Sequence, residues 1–125
     1  TPWTNDLPQE FQKRYGYDLI PLLPKLFYKD TKNKFAKIKI DYIDLTNSLF
    51  IERFAVPYEK WCEEHNIKFT GHVLHEDSLS TQTAPLGSLM RFYEHMHIPG
   101  IDVLAGGHNN WWVAKQQTNG HALRL

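Results

Sequence analysis

The sequence predicts an α/β fold: a partial (β/α)8 barrel segment with about three parallel strands and their helices, spanning residues 1–125 as one piece of a longer barrel domain. Three observations lead there. Helical and extended patterns alternate through the second half of the chain, with short links between them. The chain holds 125 residues, whereas a complete barrel of this kind needs about 250. It closes on His121-Ala122-Leu123-Arg124-Leu125, an apolar-alternating stretch with no turn after it, and opens on Thr1-Pro2-Trp3 without an initiator Met. That reads as an internal fragment. A fragment of this kind would leave sheet edges and helix faces without partners and would aggregate or stay partly molten in isolation.

The elements follow in order. Residues 7–15 form a short helix, with Asp6 at the N-cap, Pro8 in the first turn and Gly16 as the stop. A second helical piece over 18–27 is interrupted by Pro21 and Pro24. The lysine-rich run 28–39 reads as an exposed, solvated loop. Residues 40–66 carry the longest periodic pattern, with Ile43, Phe50, Phe54, Pro57 and Trp61 on one face expected to be buried. Pro57 should kink or split that helix, and Asn66 should cap it. Residues 67–74 read as a strand, 86–95 as a helix, and Ile98-Pro99-Gly100 as a turn into a second strand over 101–105. A loop over 106–110, a helix over 111–117 and a third strand from His121 complete the pattern.

Composition narrows the function. Fourteen Lys+Arg balance fourteen Asp+Glu, so the basic surplus of a general nucleic-acid binder is missing and an anionic membrane surface gains nothing from this chain. No apolar run approaches the ~18 residues of a spanning helix. A single cysteine, Cys62, forms no internal disulfide, which leaves the compartment and the localisation open. Aromatic residues make up 14%, and there are seven histidines.

In parallel α/β folds the chemistry sits at the carboxyl ends of the strands. That rule selects His72, His75 and Glu76 at the end of the first strand, Asp102 on the second with His108 and Trp111 following it, and Trp3 in the N-terminal segment. Glu76 is the candidate for proton transfer, because aromatic and apolar surroundings raise a carboxyl pKa toward the range of a general acid. His72, His75, Asp102, His108, Trp111 and Trp3 are the candidate substrate ligands: sugar rings present apolar faces to aromatic planes and hydroxyls to polar groups. A solvent-facing Glu76 and structural His72 and Trp residues are the plainer alternatives. The spacing His72-x-x-His75-Glu76 admits a metal-dependent hydrolase, although zinc-binding histidines on a helix stand four apart. His95-Met96-His97 reads as a helix end. Phosphate-binding glycine loops, nucleophile elbows and dinucleotide fingerprints are missing from the sequence.

The run from Trp61 through Glu64-His65-Asn66 and Phe69-Thr70-Gly71-His72, then Glu76, then Met90-Arg91-Phe92-Tyr93-Glu94 and Ile98-Pro99-Gly100-Ile101-Asp102, resembles the barrel core of large bacterial glycoside hydrolases. The nearest group is the α-L-rhamnosidase-like enzymes of family 106 and related uncharacterised families, which Pro8-Gln9-Glu10-Phe11 through Tyr17-Asp18-Leu19 also resembles. The resemblance implies hydrolysis of O-glycosidic bonds by paired carboxylates, with Glu76 and His72 at matching positions and other acidic positions outside this chain. It implies a carbohydrate substrate; the balanced charge and the lack of a long apolar run argue against a nucleic-acid or membrane partner. No cofactor is expected; a calcium ion held by carboxylates in the intact enzyme stays open, but no loop signature supports it. The alternative readings are a non-catalytic carbohydrate-binding relative and a metal-dependent hydrolase using His72, His75 and Glu76.

Overall fold

The computed structural model describes residues 2–28, 32, 36–73 and 78–102. Two units divide the chain, Thr1–Ser48 and Leu49–Leu125. Among the described residues the structure is mostly helical, with two short strands. The partial barrel with three strands is therefore corrected: among the described residues, what was read as strand 67–74 pairs only at Thr70–Gly71, and its partner is Ile98–Pro99, ahead of the strand expected over 101–105, of which 103–105 lie outside the described residues. The loop, helix and strand expected over 106–125 lie outside the described residues.

In the first unit, helix α1 (Leu7–Tyr15) buries Leu7 and Phe11, one turn apart, and carries Pro8 in its first turn. Glu10 near its start and Lys13 and Arg14 near its end complement the helix dipole. Asp6 occupies the N-cap position without a side-chain capping bond. Gly16 ends the helix at φ 80°, its N–H donating to the Gln12 carbonyl at 2.9 Å. Such left-handed backbone is open to glycine at little steric cost. Pro21 and Pro24 break the next stretch into a 3-10 turn (Ile20–Leu22) and helix α2 (Leu23–Phe27), as expected.

Helix α3 (Ala36–Phe50) begins inside the run expected to be loop. Ile38, Tyr42 and Leu45, at four- and three-residue spacing, are its buried apolar positions in this unit, and the polar Asn47 and Ser48 are buried as well. Two phenol–carboxylate bonds tie α1 and the following turn to it. Tyr15 Oη donates to Asp44 Oδ2 and Tyr17 Oη to Asp41 Oδ2, both at 2.6 Å. Lys37 pairs with Asp41 and stands 4.8 Å from the Tyr17 ring centre, inside cation–π range. Burial first, then the hydrogen bond to the neighbouring carboxylate, raises both phenol pKa values well above 10.0.

The chain stays helical beyond α3, but one turn widens. Over Ile51–Ala55 the backbone forms a π turn, with the Val56 N–H reaching the Ile51 carbonyl five residues back, and helix α4 (Val56–Glu64) follows. Pro57 accounts for the disturbance: it has no N–H to offer the Arg53 carbonyl, and its ring crowds that oxygen. The split expected at Pro57 thus falls one turn earlier, as a wide turn. Asn66 caps α4 at φ 56°. Its N–H binds the Glu63 carbonyl and that of Ile67 binds the Cys62 carbonyl, which together make a Schellman motif with asparagine in glycine's usual place.

The expected buried face of this long helix is also corrected. Phe54 and Trp61 are 46% and 48% exposed, while Ile51, Ala55 and Cys62 are buried. The wide turn interrupts the 3.6-residue phase, so one apolar series drawn straight through Pro57 selects the wrong positions.

The second unit's core gathers Ile51, Ala55, Cys62, Phe69, Val73, Leu89, Phe92, Tyr93 and Met96. Helix α5 (Leu79–Leu86) starts at a capping box in which the Ser78 hydroxyl accepts from the Thr81 N–H and the Thr81 hydroxyl accepts from the Ser78 N–H. Gly87, at φ 78°, separates it from helix α6 (Leu89–Tyr93). The helix expected over 86–95 is therefore shorter, Leu89–Tyr93, and α5 before it was not expected.

Strands β1 (Thr70–Gly71) and β2 (Ile98–Pro99) pair in parallel, Thr70 opposite Ile98 and Gly71 opposite Pro99. The ladder runs through Ile98 N–H to the Phe69 carbonyl at 3.0 Å and Gly100 N–H to the Gly71 carbonyl at 2.7 Å. Pro99 sits between these two donors, where the ladder asks nothing of its nitrogen.

Candidate functional site

The two strands leave their ladder in the same direction, so the residues just past each of them meet. His72 follows β1 directly, and Asp102 stands three residues beyond Pro99. His72 Nδ1 lies 3.6 Å from Asp102 Oδ2 and 3.2 Å from its neighbouring Val73 carbonyl oxygen. The His72 side chain is half exposed, that of Asp102 less so, and Val73 below them is buried. A partly solvated imidazole held beside a carboxylate can accept or donate a hydrogen bond to a polar ligand arriving from solvent.

Backbone packing sets this approach. A Cβ built on Gly100 would stand 2.7 Å from the Gly71 carbonyl oxygen, closer than real Cβ contacts come. The pair of strand exits is therefore as close as it is because position 100 carries no side chain. Thr70 adds a cross-strand bond, its hydroxyl donating to the Ile98 carbonyl at 2.7 Å.

The opposite end of the ladder is fixed by a group that reads in the sequence as part of a helix end. His97 Nδ1 accepts the Phe69 N–H at 3.0 Å, and its Nε2 lies 3.5 Å from Glu63 Oε1. His95 Nδ1 stands 2.7 Å from Glu59 Oε2. Met96 between them is buried in the core. The signal was present: an apolar residue flanked by two histidines matches, rung for rung, two glutamates four apart on one helix face.

Of the predicted site residues, His72 and Asp102 come together. Trp3 is 47% exposed and belongs to the first unit. Glu76, His75, His108 and Trp111 lie outside the described residues. Among the described residues no group of three His, Cys, Asp or Glu side chains is placed to hold a metal ion, and no helix is long and apolar enough to cross a membrane.

A further concentration of rings runs from the last residue of α3 through the π turn along α4. Phe50, Phe54, Tyr58 and Trp61 succeed one another at centroid distances of 5.2, 5.7 and 6.5 Å, with planes within 23° of parallel. The inner edge of the row packs on the core through Phe50–Phe92 and Tyr58–Phe69. Its outer rings, Phe54, Tyr58 and Trp61, stay half in solvent.

Compared with known protein families, curated proteins and solved structures, the chain matches none of them.

Proposed function

We propose that this chain contributes to the active centre of a glycosidase, at the exits of β1 and β2. The observation that supports the reading is the meeting of His72 and Asp102 just past two parallel strands, where ligands bind in open α/β sheets. Glu76, four residues beyond His72, is the proton-transferring carboxyl. His72 holds a hydroxyl of the sugar. A second carboxylate completes the pair needed for an oxocarbenium-like transition state.

The test is Glu76→Gln in the whole protein that carries these residues, assayed on a panel of aryl glycosides. The substitution keeps the shape and removes the titratable proton. The kcat should fall by about 10²–10⁴-fold, as for loss of a general acid or base. His72→Ala should act mainly on KM, because uniform binding of a hydroxyl cancels from kcat. A Glu76→Gln enzyme as fast as the wild type would remove Glu76 from the centre. Glycan binding without turnover in the wild type would favour the non-catalytic relative instead.

A further inference from the structure

Within the glycosidase reading, on which this inference rests, we infer that Asp102 is not a substrate ligand but the positioning residue of His72: it fixes the imidazole with its proton on Nδ1 and leaves Nε2 as the acceptor that receives a sugar hydroxyl. The assignment follows from what surrounds the ring. Nδ1 faces two oxygens, the Val73 carbonyl at 3.2 Å and Asp102 Oδ2 at 3.6 Å. Neither oxygen can donate, since one is a carbonyl and the other a carboxylate, so the ring nitrogen between them keeps the hydrogen. In a neutral imidazole the other nitrogen then carries the lone pair. The half-exposed side chain leaves that lone pair room to meet a ligand from solvent.

His97 supplies the internal contrast. Its Nδ1 accepts a backbone N–H from Phe69, so its hydrogen sits on Nε2, toward Glu63. Two histidines at opposite ends of one two-stranded ladder are thus set in opposite tautomers by their neighbours. Only His72, at the exit end, turns an acceptor outward. Gly100 belongs to the same device, because a side chain there would strike the Gly71 carbonyl and part the strand ends that carry His72 and Asp102.

Nitrogen-15 NMR of the histidine side chains in the ligand-free protein, at a pH where the rings are neutral, reads this directly. The wild type should show His72 mainly with Nδ1–H and His97 mainly with Nε2–H. Asp102→Ala should move the His72 ratio toward Nε2–H by about two- to fivefold, the size expected on removing a partly solvated charge partner, and leave His97 unchanged. Asp102→Asn, whose amide oxygen can still accept, should restore much of the ratio. Gly100→Ala should shift His72 in the same direction as Asp102→Ala; should that variant fail to fold, the Asp102 pair decides. A wild-type His72 mainly in the Nε2–H form, or a ratio indifferent to Asp102→Ala, overturns the inference. The measurement needs no substrate, so a protein inactive on every glycoside would refute the functional reading and leave the tautomer result standing.

Discussion

Replacing His97 should cost the protein more than an ordinary histidine at a helix end would suggest. The ring is 8% exposed and is the acceptor for the Phe69 N–H, a group at the entrance to β1 whose own residue is buried. His97→Leu keeps apolar bulk but leaves that N–H without its acceptor, a loss of about 1–3 kcal/mol for a buried donor. The Glu63 pairing adds little, because the Glu63 side chain is half exposed and such pairs contribute about 0–1 kcal/mol. The expected total is about 2 kcal/mol. His97→Asn is the control, since its amide oxygen stands two bonds from Cβ, as Nδ1 does, and can accept the same N–H. Urea unfolding of the three proteins, with m-values compared to confirm a common transition, gives the difference. His97→Asn should recover more than half of what His97→Leu loses. Equal destabilisation by the two would refute the reasoning, because it would mean that ring packing, not the hydrogen bond, holds the strand entrance.

Two further outcomes concern the first unit and the end of α4. Tyr15 and Tyr17 have phenol pKa values raised above 10.0 in the folded chain, so their contribution is fully present below pH 10 and is lost as pH climbs from there toward the folded-state values. Stability followed by circular dichroism should therefore fall in that alkaline window, and the Tyr15→Phe, Tyr17→Phe double variant should be weaker at pH 8 but flatter above pH 10. At Asn66, with φ 56°, substitution by alanine should lose about 1 kcal/mol for the left-handed backbone, while glycine should match or exceed asparagine; thermal melts of the two variants check the order.

What could be read from the chain alone was what short-range rules govern. Helix α1, from Asp6 to Gly16, is specified by a proline in its first turn, two apolar residues one turn apart and a glycine at its end, and it forms as read. Asn66 and the disturbance around Pro57 were legible for the same reason. The errors came where a residue's usual meaning was overruled by its neighbours. Pro99 reads as a turn, yet it forms β2 because the ladder takes its donors from Ile98 and Gly100. The start of α5 was hidden because threonine, not glutamate, closes the capping box with Ser78. The barrel expectation failed in a related way: the apolar residues Phe69 and Val73 share one core with residues of the π turn, α4 and α6 and with Met96, and the strand pairing beside them is only two residues long. Of the candidate site, the rule about strand exits named His72 and Asp102, yet they meet past strands that end earlier than the 67–74 and 101–105 it was applied to, and the service of His97 to a backbone amide depends on a contact 28 residues distant in sequence.

Gly16 and Gly100 show how the same residue answers to two different constraints, and so how differently the two positions could vary. At Gly16 the limit is torsional: φ is 80°, and an added Cβ would meet nothing within 4 Å. Asparagine or aspartate, which tolerate that backbone, could stand there with α1 intact. At Gly100 the limit is room: the obstruction is a carbonyl oxygen of the facing backbone, which no choice of rotamer can avoid. Tolerance at the first position is graded by backbone preference, residue by residue; at the second it begins and ends with the first carbon of the side chain.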